Sequence, residues 1–115
     1  MKWTSYSKGI WAEYLASLCL MVKGYSIQAR RYRTPWGEID LIAKRGKTLT
    51  FVEVKRRQFY RQGLDSISLT QRNRIERSGQ AYMASVKINF DIIRFDVMIV
   101  TPWRLYHLKD AWRQT

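Results

Sequence analysis

Glu38, Asp40, Glu53 and Lys55 lie within GEIDLIAKRGKTLTFVEVKRR (37–57), in a chain with 21 Lys and Arg against 9 Asp and Glu. A third of the acids therefore sits in two apolar, strand-like runs, where an uncompensated carboxylate is costly. Side chains alternate faces along a strand. Glu38, Asp40 and Ile42 thus share one face of the first run, and Leu49, Phe51, Glu53 and Lys55 share one face of the second. A two-residue turn at Arg45-Gly46 pairs Lys44 with Lys47, Asp40 with Phe51 and Glu38 with Glu53. Both sets then point to the same side of the sheet, with Asp40 and Glu53 as diagonal neighbours whose Cβ atoms are roughly 6–8 Å apart. An odd change in loop length reverses the relative faces.

Carboxylates gathered on a largely buried face repel one another and need a proton, a basic partner or a metal. Hard cations such as Mg²⁺ and Mn²⁺ take one or two carboxylates, completed by waters and phosphate oxygens. Lys55, two residues after Glu53, places a positive charge beside them. These are the parts that metal-assisted phosphodiester hydrolysis requires. The same residues, with Arg56, also suit a solvated face of ion pairs on an edge hairpin, and spacing alone does not separate the two readings.

The elements that must position these groups follow from periodicity. A helix is expected at about 5–22, where Trp11, Leu15, Leu18 and Val22 recur at helical spacing and Gly24 ends the run. It is apolar almost all round, which predicts burial on more than one side, with Trp11 in the core. Glu13 is its one acid and lies away from that stripe. Strands are expected at 26–33, 38–44 and 48–56, with a turn at Thr34-Pro35-Trp36-Gly37. Residues 57–67 read as a loop. A second helix is expected at 69–85, N-capped by Ser68, with Ile75, Tyr82 and Met83 apolar and Arg72, Arg74 and Arg77 basic. A strand follows at 92–100. The tail after Pro102 suits either a short strand or a helical turn. The order is αβββαβ, in one domain spanning 1–115.

Composition limits the partners. A net charge of +12 attracts polyanions, nucleic acid first. The longest apolar stretch, Trp11–Val22, is too short to span a membrane, and no signal-peptide pattern opens the chain. A cytoplasmic location with no membrane partner is expected. His107 is the sole histidine and Cys19 the sole cysteine, which excludes a Cys/His metal centre and an internal disulfide.

An Asp ending one strand and Glu53-Val54-Lys55 on the next resemble the core of the PD-(D/E)XK nuclease superfamily. Across most of the chain, AEYLASLCLMVKGY, GEIDLIA, FVEVKRR, the second helix ending QAYM, and RFDV at 94–97 resemble the bacterial YraN-like family of endonuclease-like proteins. The resemblance implies a restriction-endonuclease-like α/β core, with a central mixed β-sheet flanked by helices. It implies Asp40 and Glu53 as ligands of Mg²⁺ or Mn²⁺, the main-chain carbonyl of Val54 as a third, and Lys55 as the catalytic lysine. Glu13 matches the family's first-helix acid, which reaches the site or is simply an exposed helix acid. Glu38 either backs the ligands or partners the hairpin. Where the family has Lys-Gln at the start of the second helix, this chain has Gln71-Arg72, groups suited to water or phosphate.

The basic residues Arg56, Arg57, Arg61, Arg74 and Arg77 surround the motif in sequence and suit a phosphate backbone. Phe59 and Tyr60 suit unpaired bases. Arg30, Arg31 and Arg33 form a second basic cluster. Trp36 borders the motif, while Trp103 and Trp112 suit a homodimer contact or a packed tail. The leading expectation is a metal-dependent endonuclease acting on DNA, on branched or otherwise structured forms by analogy of fold, with RNA not excluded. The alternatives are a non-catalytic nucleic-acid-binding module on the same fold, and an interaction protein that recruits DNA-processing partners through exposed Trp residues.

Overall fold

The apolar runs pair as their alternation requires. In a computed structural model, which describes residues 5–113 (side chains from residue 9), the elements are α1 (Ser5–Val22), β1 (Ser26–Thr34), β2 (Gly37–Arg45), β3 (Thr48–Arg56), α2 (Tyr60–Leu64), α3 (Leu69–Ser85), β4 (Ile92–Val100) and β5 (Leu105–Trp112). The five strands form one sheet in the order β1-β2-β3-β4-β5. β1, β2 and β3 are an antiparallel meander; β4 lies parallel to β3 and β5 antiparallel to β4. A parallel neighbour needs a crossover, and the segment carrying α2 and α3 supplies it. The sheet is mixed and flanked by helices, the architecture of the restriction-endonuclease-like core.

Two differences from the expected order have local causes. The tail adopts the strand alternative, as β5, with Trp112 stacked on Phe95 at 5.2 Å. The segment expected as a loop contains the short helix α2, where Gly63 lies against the core. A Cβ at Gly63 would come within 2.7 Å of three Ile99 carbons, so only glycine allows this approach.

The sheet carries an apolar layer on each face. Ile75 and Tyr82 of α3 join Ile42, Phe51, Phe95 and Ile99 in one layer, and Ala16 and Leu20 of α1 join Leu41, Val52 and Met98 in the other. The expectation for α1 is corrected here. Its buried face is Ala12, Ala16, Ser17 and Leu20, whereas Trp11 is 50% exposed and stacks on Tyr14 at 5.8 Å. Close approach of a helix to a sheet selects small residues, and the sheet covers only one side of this helix. Trp11, Leu18, Met21 and Val22 are left facing outward.

Asp96 on β4 is fully buried yet completely partnered. It accepts from Arg94 Nε and Nη2 at 2.8 Å each, from His107 Nε2 at 2.7 Å and from the Asp110 N–H at 3.0 Å. Lys23 Nζ lies 2.9 Å from His107 Nδ1; an ammonium can only donate, so Nδ1 accepts and Nε2 carries the proton toward Asp96. The network ties β4 to β5 and, through Lys23, to the end of α1. Burial alone would raise the Asp96 carboxyl, but the bonds from His107, Arg94 and the Asp110 N–H outweigh it and hold it down, from 3.8 to about 2. A depressed folded-state value contributes stability above the unfolded value that is lost as pH falls through the folded one. Acid unfolding should therefore draw on this site between pH 3.8 and about 2. Asp96→Ala leaves the Arg94 guanidinium without its carboxylate and is expected to cost about 3–5 kcal/mol in denaturant-melt stability. A cost under ~1 kcal/mol would contradict this account of the network.

Candidate functional site

The hairpin between β2 and β3 sets the site. Its turn is Gly46-Lys47, one residue later than expected, with Gly46 in the left-handed region (φ 60°) that glycine adopts freely. The observed register is Arg45↔Thr48, Lys44↔Leu49 and Ile42↔Phe51, ending at Leu41↔Val52. Every partner shifts by two residues relative to the expected pairing, an even number, so the relative faces survive. Carried one step further, the register sets Asp40 across from Glu53 rather than diagonal to it. The ladder stops there, and the Asp40 side chain fills the opening by accepting the Val54 N–H on Oδ2 at 2.8 Å.

Both β1 and β2 depart from regular strand geometry at this point. Ile39 and Ile42 pack toward α3 while Leu41 packs toward α1, so strict alternation breaks at Asp40. Opposite it, between the pairs Arg30↔Leu41 and Tyr32↔Ile39, stands Arg31 with a φ of 50°. A non-glycine residue held left-handed costs roughly 1–2 kcal/mol, and such strain gathers where a site requires it. Arg31 Nε is 2.8 Å from Glu13 Oε1 on α1. Nothing in the sequence marks Arg31 apart from the rest of its basic cluster; its backbone conformation and its partner on α1 do.

Glu53 is 7% exposed, the most deeply set acid of the group. Its Oε1 lies 3.3 Å from Lys55 Nζ and accepts from Gln71 Nε2 at 3.1 Å. Gln71 is placed by the Ser68 cap, whose hydroxyl accepts the Gln71 N–H at 3.1 Å. The structure thus brings together Asp40, Glu53, Lys55 and Gln71, with Glu13 near enough for its charge to act on both strand acids. Glu38 stands at the margin, paired with Arg33 Nε at 3.1 Å. Arg72 points elsewhere: its guanidinium lies over the Trp112 ring at 5.7 Å and its Nε is buried, not at the carboxylates. Arg57 Nη1 donates to the Arg56 carbonyl at 2.9 Å. Arg56, Arg61, Arg74 and Arg77 are exposed.

Burial pushes the Asp40 carboxyl up to about 8; the charges of Glu53 and Glu13 act in the same direction, and the Val54 N–H opposes them. Burial raises Glu53 as well, with Lys55 pulling it down. Two carboxyls in this position hold a proton between them at neutral pH unless a cation replaces it. Among the described residues no three His, Cys, Asp or Glu side chains converge as metal ligands. A hard divalent ion does not need three, because one or two carboxylates with carbonyl, water and substrate oxygens suffice. The mutually repelling pair, Glu53 buried and Asp40 half-buried, fits such an ion.

The raised value gives a testable sign. Asp40 is protonated in the folded chain where it would be ionised unfolded, so its contribution is most favourable below pH 3.8 and is lost as pH rises toward about 8. Asp40→Asn removes that dependence. In chelator the variant should be more stable than the parent by on the order of 1–3 kcal/mol at pH 8, with the gap closing near pH 4, as read by paired thermal melts. A variant less stable at pH 8 would contradict the assignment.

Comparison with known proteins agrees with the motif resemblance. Residues 12–100 match the uncharacterised protein family UPF0102. A UPF0102 protein of Sinorhizobium medicae is 40% identical over 114 residues, covering 97% of this chain and 93% of its own. One from Paramagnetospirillum magneticum is 43% identical over 112 residues, covering 92% and 87%. One from Caulobacter vibrioides is 43% identical over 104 residues, covering 88% and 82%. The match spans both flanking helices as well as the two motif strands, and the chain belongs to the UPF0102, or YraN-like, family.

Proposed function

We propose that this protein is a metal-dependent nuclease that hydrolyses phosphodiester bonds of DNA at the Asp40–Glu53 pair. One observation carries the reading: two raised carboxyls, Glu53 buried and Asp40 half-buried, meet where the β2–β3 ladder ends, with Lys55 and Gln71 on the same cluster. A structural ion-pair face, the other reading of this spacing, is exposed and lets each acid ionise; here Glu53 is buried and burial pushes the Asp40 carboxyl up to about 8. Asp40 and Glu53 would hold Mg²⁺ or Mn²⁺ with the Val54 carbonyl. Such an ion supplies Lewis-acid polarisation of the phosphate and eases deprotonation of the attacking water.

The chain's own groups do the rest. Lys55, held beside Glu53, donates to the attacking water and offsets negative charge developing on the phosphate. Gln71 holds Glu53 in place through its amide and turns a second N–H toward solvent or a phosphate oxygen. Arg31 keeps Glu13 ionically satisfied, which limits its repulsion of the strand acids. The +12 charge draws the polyanion in, and Arg56, Arg61, Arg74 and Arg77 contact its backbone. No helix among the described residues is long and apolar enough to cross a membrane.

The test uses labelled single-stranded, duplex, flap and four-way-junction DNAs in Mg²⁺, Mn²⁺ or chelator. Cleavage of at least one substrate should require metal and fall by about 100-fold or more in Asp40→Asn and in Lys55→Ala. Binding in chelator should survive in both variants and weaken steeply with salt. Tight binding with no cleavage of any substrate would overturn the enzyme reading in favour of a binding module on the nuclease fold.

Metal should also stabilise the fold. Millimolar Mn²⁺ should raise the melting temperature of the parent by a few degrees, about 2–8 °C, and leave Asp40→Asn unmoved. Equal shifts in both proteins would place the metal elsewhere.

A further inference from the structure

We infer that the groove between the β1–β2 turn and α3 is a subsite for an unpaired nucleic-acid strand, with Trp36 as the platform on which one base stacks. The inference rests on the nuclease reading for the identity of the polyanion, but its platform, Trp36, takes no part in hydrolysis.

The groove encloses about 910 Å³, between the Thr34–Gly37 turn on one side and Asn73, Arg74 and Arg77 on the other. A shallower hollow extends it along Trp36, Arg77 and Gln80. Another leads from Arg74 and Thr70 to Gln71 and Glu38, and Gln71 donates to Glu53. The hollows therefore run from Gln71, the neighbour of Glu53, to the indole. Gln71, Arg74 and Arg77 are three residues apart on α3, so they follow one stripe of the helix over about 9 Å.

Trp36 is 44% exposed, and the turn beneath it is fixed. Thr34 Oγ1 accepts the N–H groups of Trp36 and Gly37 at 3.2 Å each and lies 2.7 Å from the hydroxyl of Ser78, which is fully buried. A Cβ on Gly37 would already touch Arg74 Cβ at 3.5 Å, so the turn sits directly on α3. An aromatic ring on an immobile support loses little freedom when a flat ligand covers it. Aromatic faces flanked by guanidinium groups are what bind unpaired bases and their phosphates.

Two acids, Glu38 and Glu76, stand against Arg74 and Arg77 in this lining. Glu38 is paired with Arg33, and Glu76 is half-buried on α3 between the two flanking arginines in sequence. Stacking needs a free base face, which an intact duplex does not offer. The platform therefore selects an unpaired strand on one side of the reacting phosphate.

The experiment is fluorescence-anisotropy binding in chelator, where no hydrolysis occurs. The probes are labelled oligothymidylate, oligouridylate of equal length and a blunt duplex. Trp36→Ala should weaken oligothymidylate binding about tenfold and leave the duplex unchanged, while Trp36→Phe retains most of the affinity. Arg77→Ala should weaken all probes and flatten the salt dependence. Equal losses on oligouridylate assign the platform to either kind of strand; a loss confined to oligothymidylate assigns it to DNA. Unchanged oligothymidylate binding by Trp36→Ala, an equal loss on the duplex, or no binding of oligothymidylate by the parent would overturn the inference. Because these readouts involve no cleavage, they stand or fall apart from the hydrolysis assay.

Discussion

Two carboxyls held out of water beside each other cannot both be charged unless a cation stands between them. That constraint organises one end of this sheet. The β2–β3 ladder stops where Asp40 and Glu53 meet, and Asp40 takes the Val54 N–H that a strand partner would otherwise have taken. Lys55 and Gln71 crowd Glu53, and Arg31 accepts a strained backbone while pairing with Glu13. Each of these contacts offsets part of the repulsion and leaves the gap between the two acids to be filled by a proton or a metal.

The same sheet holds a second buried acid in the opposite condition. Asp96 is more completely buried than Asp40, yet four donor contacts depress it, whereas Asp40 has one N–H and two acidic neighbours and is raised. Burial alone does not set the charge of a carboxyl; the balance of partners does. Asp96 anchors the β4–β5 side of the sheet with its needs met. Asp40 is held with its needs unmet, a stability cost that the proposed divalent ion would relieve.

Much of this was readable in the chain. The helices at 5–22 and 69–85 and the strand at 92–100 form where periodicity places them, because strong apolar patterns bounded by Gly24, Ser68 and Pro102 leave little choice. The shared face of Asp40 and Glu53 survived a misplaced turn because strand faces have period two and the slip was even, although they stand opposite rather than diagonal. What failed had tertiary causes. Trp11 looked like core because α1 is apolar on all sides, and only the sheet's demand for close approach shows that Ala12, Ala16 and Ser17 form the packed face. Helix α2 is too short to carry a periodic signal, and its Gly63 reads as loop until Ile99 is placed against it. Arg72 shares a basic stretch with Arg74 and Arg77 but turns to Trp112, a partner 40 residues further along the chain.

The central claim is that the Asp40–Glu53 pair exchanges a shared proton for a divalent cation. Titration calorimetry with Mn²⁺ at pH 7, repeated in buffers of different ionisation enthalpy, counts that proton directly. The account predicts one bound ion with release of about one proton, and no binding at this site in Glu53→Gln. Binding without proton release, or binding unaffected by Glu53→Gln, would contradict it.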